Sequence, residues 1–208
     1  MENLKLHNII DKSTQYGVGQ RAVVVIQGSP HENFDSIDQS IRVFDGGYET
    51  TVMEVVDSIR AIQKLSGVSL AGGEPFCQAE ACSSLAHVLR LDKYTVWCFT
   101  GFDLSHLIEV SKFNRPVRNL LQCIDVLVCG IFDSEKKVNN VGFDFSVNQK
   151  VYKIKKGKVT SELTNADLIA MQLKSSKRKK SSKLVADELV VDNTSAVVDD
   201  TPLTAASC

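Results

Sequence analysis

The 208-residue chain carries almost no net charge, no long apolar run and only six cysteines, and each shortage removes a class of function. A formal charge of −1 provides no global attraction to nucleic acid or to a membrane surface. No apolar stretch approaches the roughly 20 residues that cross a bilayer. The opening Met1-Glu2-Asn3-Leu4-Lys5 lacks a basic region followed by an apolar segment, so no signal peptide is expected. A cytoplasmic, reducing location is the default, with free thiols rather than disulfides. Ala205-Ala206-Ser207-Cys208 is not a prenylation box, which needs its cysteine fourth from the end.

Periodicity divides what remains. Ala22-Val23-Val24-Val25-Ile26 is β-branched and apolar enough for a buried parallel strand. Asp45-Gly46-Gly47 marks a turn, and Thr51 with Glu54 forms a capping box ahead of apolar Val52, Val55, Val56, Ile59 and Ile62. A helix is therefore expected over 51–65, stopped by Gly67. Strands over 68–71, 94–99, 124–128 and 150–154 alternate with helices over 79–91, 104–110 and 116–121. Strands alternating with helices imply right-handed crossovers and a parallel sheet, with too few units to close an eight-stranded barrel. The length suits one domain, expected over 1–172, plus an excess.

Two segments fall just past strand ends, where chemistry gathers in such folds. The first is Gln27-Gly28-Ser29-Pro30-His31-Glu32-Asn33-Phe34-Asp35-Ser36-Ile37-Asp38. With cysteine at positions 29, 33 and 36 it would read C-x3-C-x2-C. The second is Gly72-Gly73-Glu74-Pro75 after Val68-Ser69-Leu70; as a bare turn it needs no ligand, since the glycines supply the bend and Pro75 starts the next segment. Together with Asp11-Lys12-Ser13 through Gly17-Val18-Gly19-Gln20-Arg21, Trp97 to Phe102, Asp125 to Val128 and Asn148-Gln149-Lys150, they occur in one order. In that order the chain, over roughly 4–155, resembles the radical S-adenosylmethionine superfamily, in particular the activating proteins of anaerobic ribonucleotide reductases.

That resemblance implies an α/β fold, a partial (β/α) barrel with a mostly parallel sheet. It implies a [4Fe-4S] cluster held by three thiolates, and S-adenosylmethionine whose amino group rests on Gly72, Gly73, Glu74 and Pro75. It also implies a glycyl-radical reductase as partner. The three ligand positions nonetheless hold Ser29, Asn33 and Ser36. Thiolates are the soft ligands such clusters take; a serine would have to bind as a hard alkoxide, and asparagine offers a neutral amide. No catalytic residue or metal ligand is therefore assigned, the cluster is expected to be absent, and S-adenosylmethionine is expected to bind weakly.

The remaining cysteines do not replace the triad. On a helix Cys77 and Cys82 would lie about 140° apart. Cys123 and Cys129 bracket one strand, roughly 20 Å apart if extended. Cys98 sits within a strand. Buried small hydrophobes are the plain reading of these residues, and a lone loop histidine such as His31 is more often solvated than a metal ligand. Further departures are Cys129-Gly130 where the family has aspartate and glycine, Phe145-Ser146-Val147-Asn148-Gln149 where it has Gly-Ser-Ser-Asn-Gln, and Asp38 where it has asparagine.

Residues 173–208 change character. The run 174–183 holds six cations and no anion, and 184–208 holds five acids and no cation. Both read as a disordered tail, the basic run binding nucleic acid or another acidic partner at most weakly. Three functions stay open: a pseudoenzyme that binds a nucleoside or a reductase, a working activase that cleaves S-adenosylmethionine, and a scaffold recruited through its tail.

Overall fold

A computed structural model describes residues 2–31, 39–138 and 142–176. One open sheet of eight strands forms its centre. In chain order the strands are β1 (Asn3–Ser13), β2 (Arg21–Ile26), β3 (Tyr48–Thr51), β4 (Gly67–Gly72), β5 (Val96–Thr100), β6 (Val126–Cys129), β7 (Lys150–Lys155) and β8 (Lys158–Leu163). The helices are α1 (Val52–Ala61), α2 (Ala79–Leu91), α3 (Leu104–Ser111) and α4 (Arg115–Cys123), followed by α5 over 165–176.

Across the sheet the order is β3-β1-β2-β4-β5-β6-β7-β8. β2, β4, β5 and β6 run parallel, whereas β1 and β3 on one flank and β7 and β8 on the other are antiparallel. The expectation of a mostly parallel sheet is thus corrected to a parallel centre with antiparallel flanks. The reason is local: β7 and β8 are joined by the two residues Lys156 and Gly157, at φ 51° and 74°, and so short a turn can only make a hairpin.

Alternation along the central strands builds two cores. Ala22, Val24, Ile26, Leu70, Cys98 and Leu127 face the helices and pack with Val55, Leu85 and Leu120. Val23, Val25 and Ala71, with Trp97, Val126 and Val128, face the other way. There α5 covers part of the sheet through Leu168 and Met171, beside Phe143 and Phe145. All six residues of β2 are buried, and after Arg21 its five residues Ala22 to Ile26 form the unbroken apolar run expected of a strand buried on both faces, which is why β2 was legible.

The capping box is present: Thr51 Oγ1 accepts from the Glu54 amide, and the Glu54 carboxylate accepts from the Thr51 amide at 2.8 Å. α1 ends at Ala61, and Gly67 opens β4 instead of stopping the helix. β3, β8 and α5 were not expected. Residues 173–176, assigned above to the tail, lie in α5, and the tail beyond them falls outside the described residues.

Candidate functional site

The C-terminal ends of the four parallel strands make one mouth. The Gly73 amide donates to the Ile26 carbonyl at 2.7 Å, and the Glu74 amide to the Gly28 carbonyl at 2.8 Å. The end of β2 and the Gly72–Pro75 turn are thereby joined backbone to backbone. Glycine is required at that junction, because a Cβ on Gly73 would lie 2.3 Å from the Gly28 oxygen. Gly72 turns with φ 95°, a conformation that side chains disfavour.

The loop leaving β2 is pinned where it is described. Gly28 and Ser29 donate their amides to the Ile41 and Arg42 carbonyls at 2.8 and 3.0 Å. Gln27, 2% exposed, donates Nε2 to the Ser40 and Val43 carbonyls at 2.7 and 2.6 Å. Asn33 and Ser36, the second and third degenerate ligand positions, lie outside the described residues.

Glu74 is the buried centre of the mouth, with no exposure. Its carboxylate accepts from the Phe76 amide at 3.0 Å, the Gly101 amide at 3.0 Å and the Thr100 hydroxyl at 2.9 Å. His31 Nε2 lies 2.8 Å from Oε2. A buried carboxylate is tolerated only with this degree of hydrogen bonding. His31 is therefore not solvated: its side chain is 12% exposed, and its ring meets Phe102 edge-on at 4.6 Å. Its partner is 43 residues away along the chain, and no local pattern announces such a contact.

Beside this network lies a cleft with roughly 640 Å³ of empty space, counting the solvent at its mouth. Gly72, Gly73, Gly101 and Gly130 give it backbone walls, and Tyr16 and Phe99 give it aromatic ones. Of the four turn residues singled out in the sequence, Gly72 and Gly73 line the cleft. Glu74 and Pro75 are buried behind it. Gln149 contributes to the wall, and its Nε2 donates to the Gly130 carbonyl at 2.8 Å.

Among the described residues the donors do not fit an iron–sulfur cluster. Ser29 is 6% exposed, and its hydroxyl accepts from the His31 amide at 3.2 Å, as in an ordinary serine turn. Burial disfavours the free thiolate at several cysteines of the described residues. Partial burial and then Glu74 push Cys77 up to about 11. Burial and then Asp103 and Glu74 push Cys129 up to about 12. Cys82 and Cys98, fully buried, are also raised, by burial first and Glu74 second. Cys77 lies in the 3₁₀ turn Pro75–Gln78 rather than on α2. Among the described residues no three His, Cys, Asp or Glu side chains converge as a metal site.

The sequence pattern of the 4Fe-4S single cluster domain matches residues 15–152, and the chain belongs to that family. An anaerobic ribonucleoside-triphosphate reductase-activating protein of Pasteurella multocida (strain Pm70) is 30% identical over 115 residues, 53% of this chain and 68% of the relative. The resemblance to radical S-adenosylmethionine activases therefore holds. Among the described residues, no helix is long and apolar enough to cross a membrane.

Proposed function

We propose that this chain is a radical S-adenosylmethionine scaffold whose cluster site has been lost, and that it acts by binding rather than by radical chemistry. The observation that carries this reading is the donor chemistry at the end of β2. A serine hydroxyl occupied by a turn hydrogen bond stands at position 29, where the family's pattern has a thiolate. The open sheet, with α1, α2 and α4 packed on one face, is the partial (β/α) barrel of that superfamily on this reading. S-adenosylmethionine would use the Gly72–Gly73 backbone, with Glu74 and Pro75 fixing the turn, and bind weakly. The partner on this reading is a reductase of the kind in the relative's name, an anaerobic ribonucleoside-triphosphate reductase, taken to be a glycyl-radical enzyme and met in the cytoplasm.

The competing reading, a working activase, draws on the family match. Anaerobic reconstitution with iron, sulfide and dithionite separates the two. The chain should stay nearly colourless and yield no 5′-deoxyadenosine. The triple variant Ser29→Cys, Asn33→Cys and Ser36→Cys should gain colour. Stoichiometric iron and sulfide in the unaltered chain, with turnover above a no-enzyme control, would restore the activase.

A further inference from the structure

The near-zero net charge conceals a segregation. Residues 150–183 hold eleven cations and two acids, whereas the rest of the chain holds 13 cations and 23 acids. The fold gathers part of this excess at the N-terminal ends of the parallel strands, the end opposite the cleft. Lys64 lies between α1 and β4, and Lys93 between α2 and β5. Lys155, Lys156 and Lys158 form the β7–β8 turn, where the Ile154 amide donates to the Asp125 carbonyl just ahead of β6 at 2.8 Å. α5 returns to the same end, its Gln172 accepting from the Gly19 amide just ahead of β2, and so delivers Lys174. All six lysines are exposed.

Three features set this rim apart from an ordinary solvated one. Lys64, Lys93 and Lys156 have φ 63°, 69° and 51°, and among the described residues every non-glycine with positive φ is one of these lysines. Such backbone favours glycine, so three loops keep a lysine where glycine would be easier. A helix C-terminus attracts a cation and accounts for Lys93 after α2, but Lys156 sits in a hairpin turn, where asparagine or aspartate is usual. Lys155 and Lys158 stand opposite each other across that hairpin, a like-charge pair that costs stability. Between β4 and β8 the loops of this end hold two acids, Asp92 and Asp125, which Arg60 and Arg90 engage at 2.8 and 3.6 Å. Among the described residues none of the six lysines is in an ion pair.

The row runs from β4 to β8, four inter-strand steps or roughly 20 Å, over which one strand of a duplex presents about six phosphates. The aromatic residue in those loops, Tyr94, packs against the helix-side core, so the face offers no platform for stacked bases. We propose that this end of the domain binds the phosphate backbone of a nucleic acid duplex without reading its sequence, the basic residues over 177–183 adding their charge. The chain's own acidic end is the rival occupant, but its five acids meet eleven cations, these six lysines and five more over 177–183.

Fluorescence anisotropy of the full chain with a labelled DNA duplex of about 20 base pairs tests this. Binding should be micromolar at about 0.15 M salt and indifferent to sequence. The triple variant Lys64→Gly, Lys93→Gly and Lys156→Gly should weaken it by about tenfold or more and lower the slope of log K against log salt by roughly three. Its thermal midpoint should hold or rise, because glycine relieves the positive φ, a pairing that damaged folding cannot imitate. Lys155→Gln with Lys158→Gln removes a like-charge pair and should likewise weaken binding without lowering the midpoint. Unchanged affinity in both variants would make the tail alone the binder and overturn the proposal, as would no binding at about 0.1 mM protein. Neutralising the acidic end, by Asp187→Asn, Glu188→Gln, Asp192→Asn, Asp199→Asn and Asp200→Asn, checks the rival. Duplex binding seen only in that variant would give the face to the tail.

Discussion

At the N-terminal end of the parallel strands, Arg21 is 1% exposed and donates to Ser69 Oγ, the Val68 carbonyl and the Thr95 carbonyl at 2.7, 2.7 and 2.8 Å. Trp97 lies beneath the guanidinium at 5.2 Å. At the C-terminal end, Glu74 is as deeply buried and is satisfied by two backbone amides, a threonine hydroxyl and His31. Each end thus buries one ion on mostly neutral hydrogen-bonding groups. Burial moves Arg21 down to about 9, with Asp125 opposing, which leaves it charged at neutral pH. The difference lies in what surrounds the ion. Around Arg21 the chain is closed, with Gly19 donating to Gln172 of α5 at 3.1 Å. Around Glu74 glycines leave a cleft. The lesson is that the motif glutamate shapes the mouth from behind and is not a free acid within it.

The largest effect should come from removing either ion. Arg21→Ala strands several buried acceptors, and Glu74→Ala strands buried donors; each should cost about 1–3 kcal/mol per stranded group in chemical denaturation. If Glu74→Ala were nearly neutral while Arg21→Ala was severe, the equivalence of the two ends would break.

A smaller effect should separate glycines within the mouth. Gly73→Ala drives a Cβ to 2.3 Å from the Gly28 backbone oxygen, which cannot move without unpicking the Gly73–Ile26 and Glu74–Gly28 hydrogen bonds. Gly130→Ala meets nothing nearer than 3.3 Å and pays only for φ 100°. The first should destabilise by about 1–3 kcal/mol and the second by about 1 kcal/mol, measured as denaturation midpoints.

What the sequence revealed follows from how local each signal is. β2 and α2 declare themselves by composition and 3.6-residue spacing, and the capping box at Thr51 and Glu54 was readable three residues apart. β8 was missed because its burial pattern is almost wholly exposed, leaving no alternation to detect. α5 did carry a signal: Thr164 and Asp167 exchange hydrogen bonds at 2.9 and 3.3 Å, a threonine-to-acid start three residues apart that the polar tail beyond it masked. In the site, the strand-end placement of Ser29 and Gly72 was legible. The inward turn of Glu74 and its pairing with His31 were not, because both depend on contacts between distant segments. The position of Asp144 in the cleft likewise depends on a distant contact, its amide donating to the Gln15 carbonyl.

The smallest effect concerns Cys77, which shares the 3₁₀ turn that follows Glu74. The residue is exposed, so an alkylating reagent can reach it. Its thiol is nonetheless pushed up to about 11, by partial burial first and by Glu74 second. Only the thiolate reacts, so an ordinary exposed thiol should outpace Cys77 roughly a hundredfold near pH 7. A raised pKa in an acid means that the neutral form is favoured, so the alkylation rate should climb about tenfold per pH unit and level off near 11. Glu74→Gln removes the negative neighbour but keeps the burial. It should lower the inflection modestly without returning it to the ordinary value near 9. Iodoacetamide labelling read peptide by peptide by mass spectrometry from pH 7 to about 11.5 separates this site from Cys123, which is partly exposed, and from Cys208. An inflection near 8 in the unaltered chain would mean that Cys77 lies in an electropositive setting, and the thiol would then be a credible soft ligand beside the mouth.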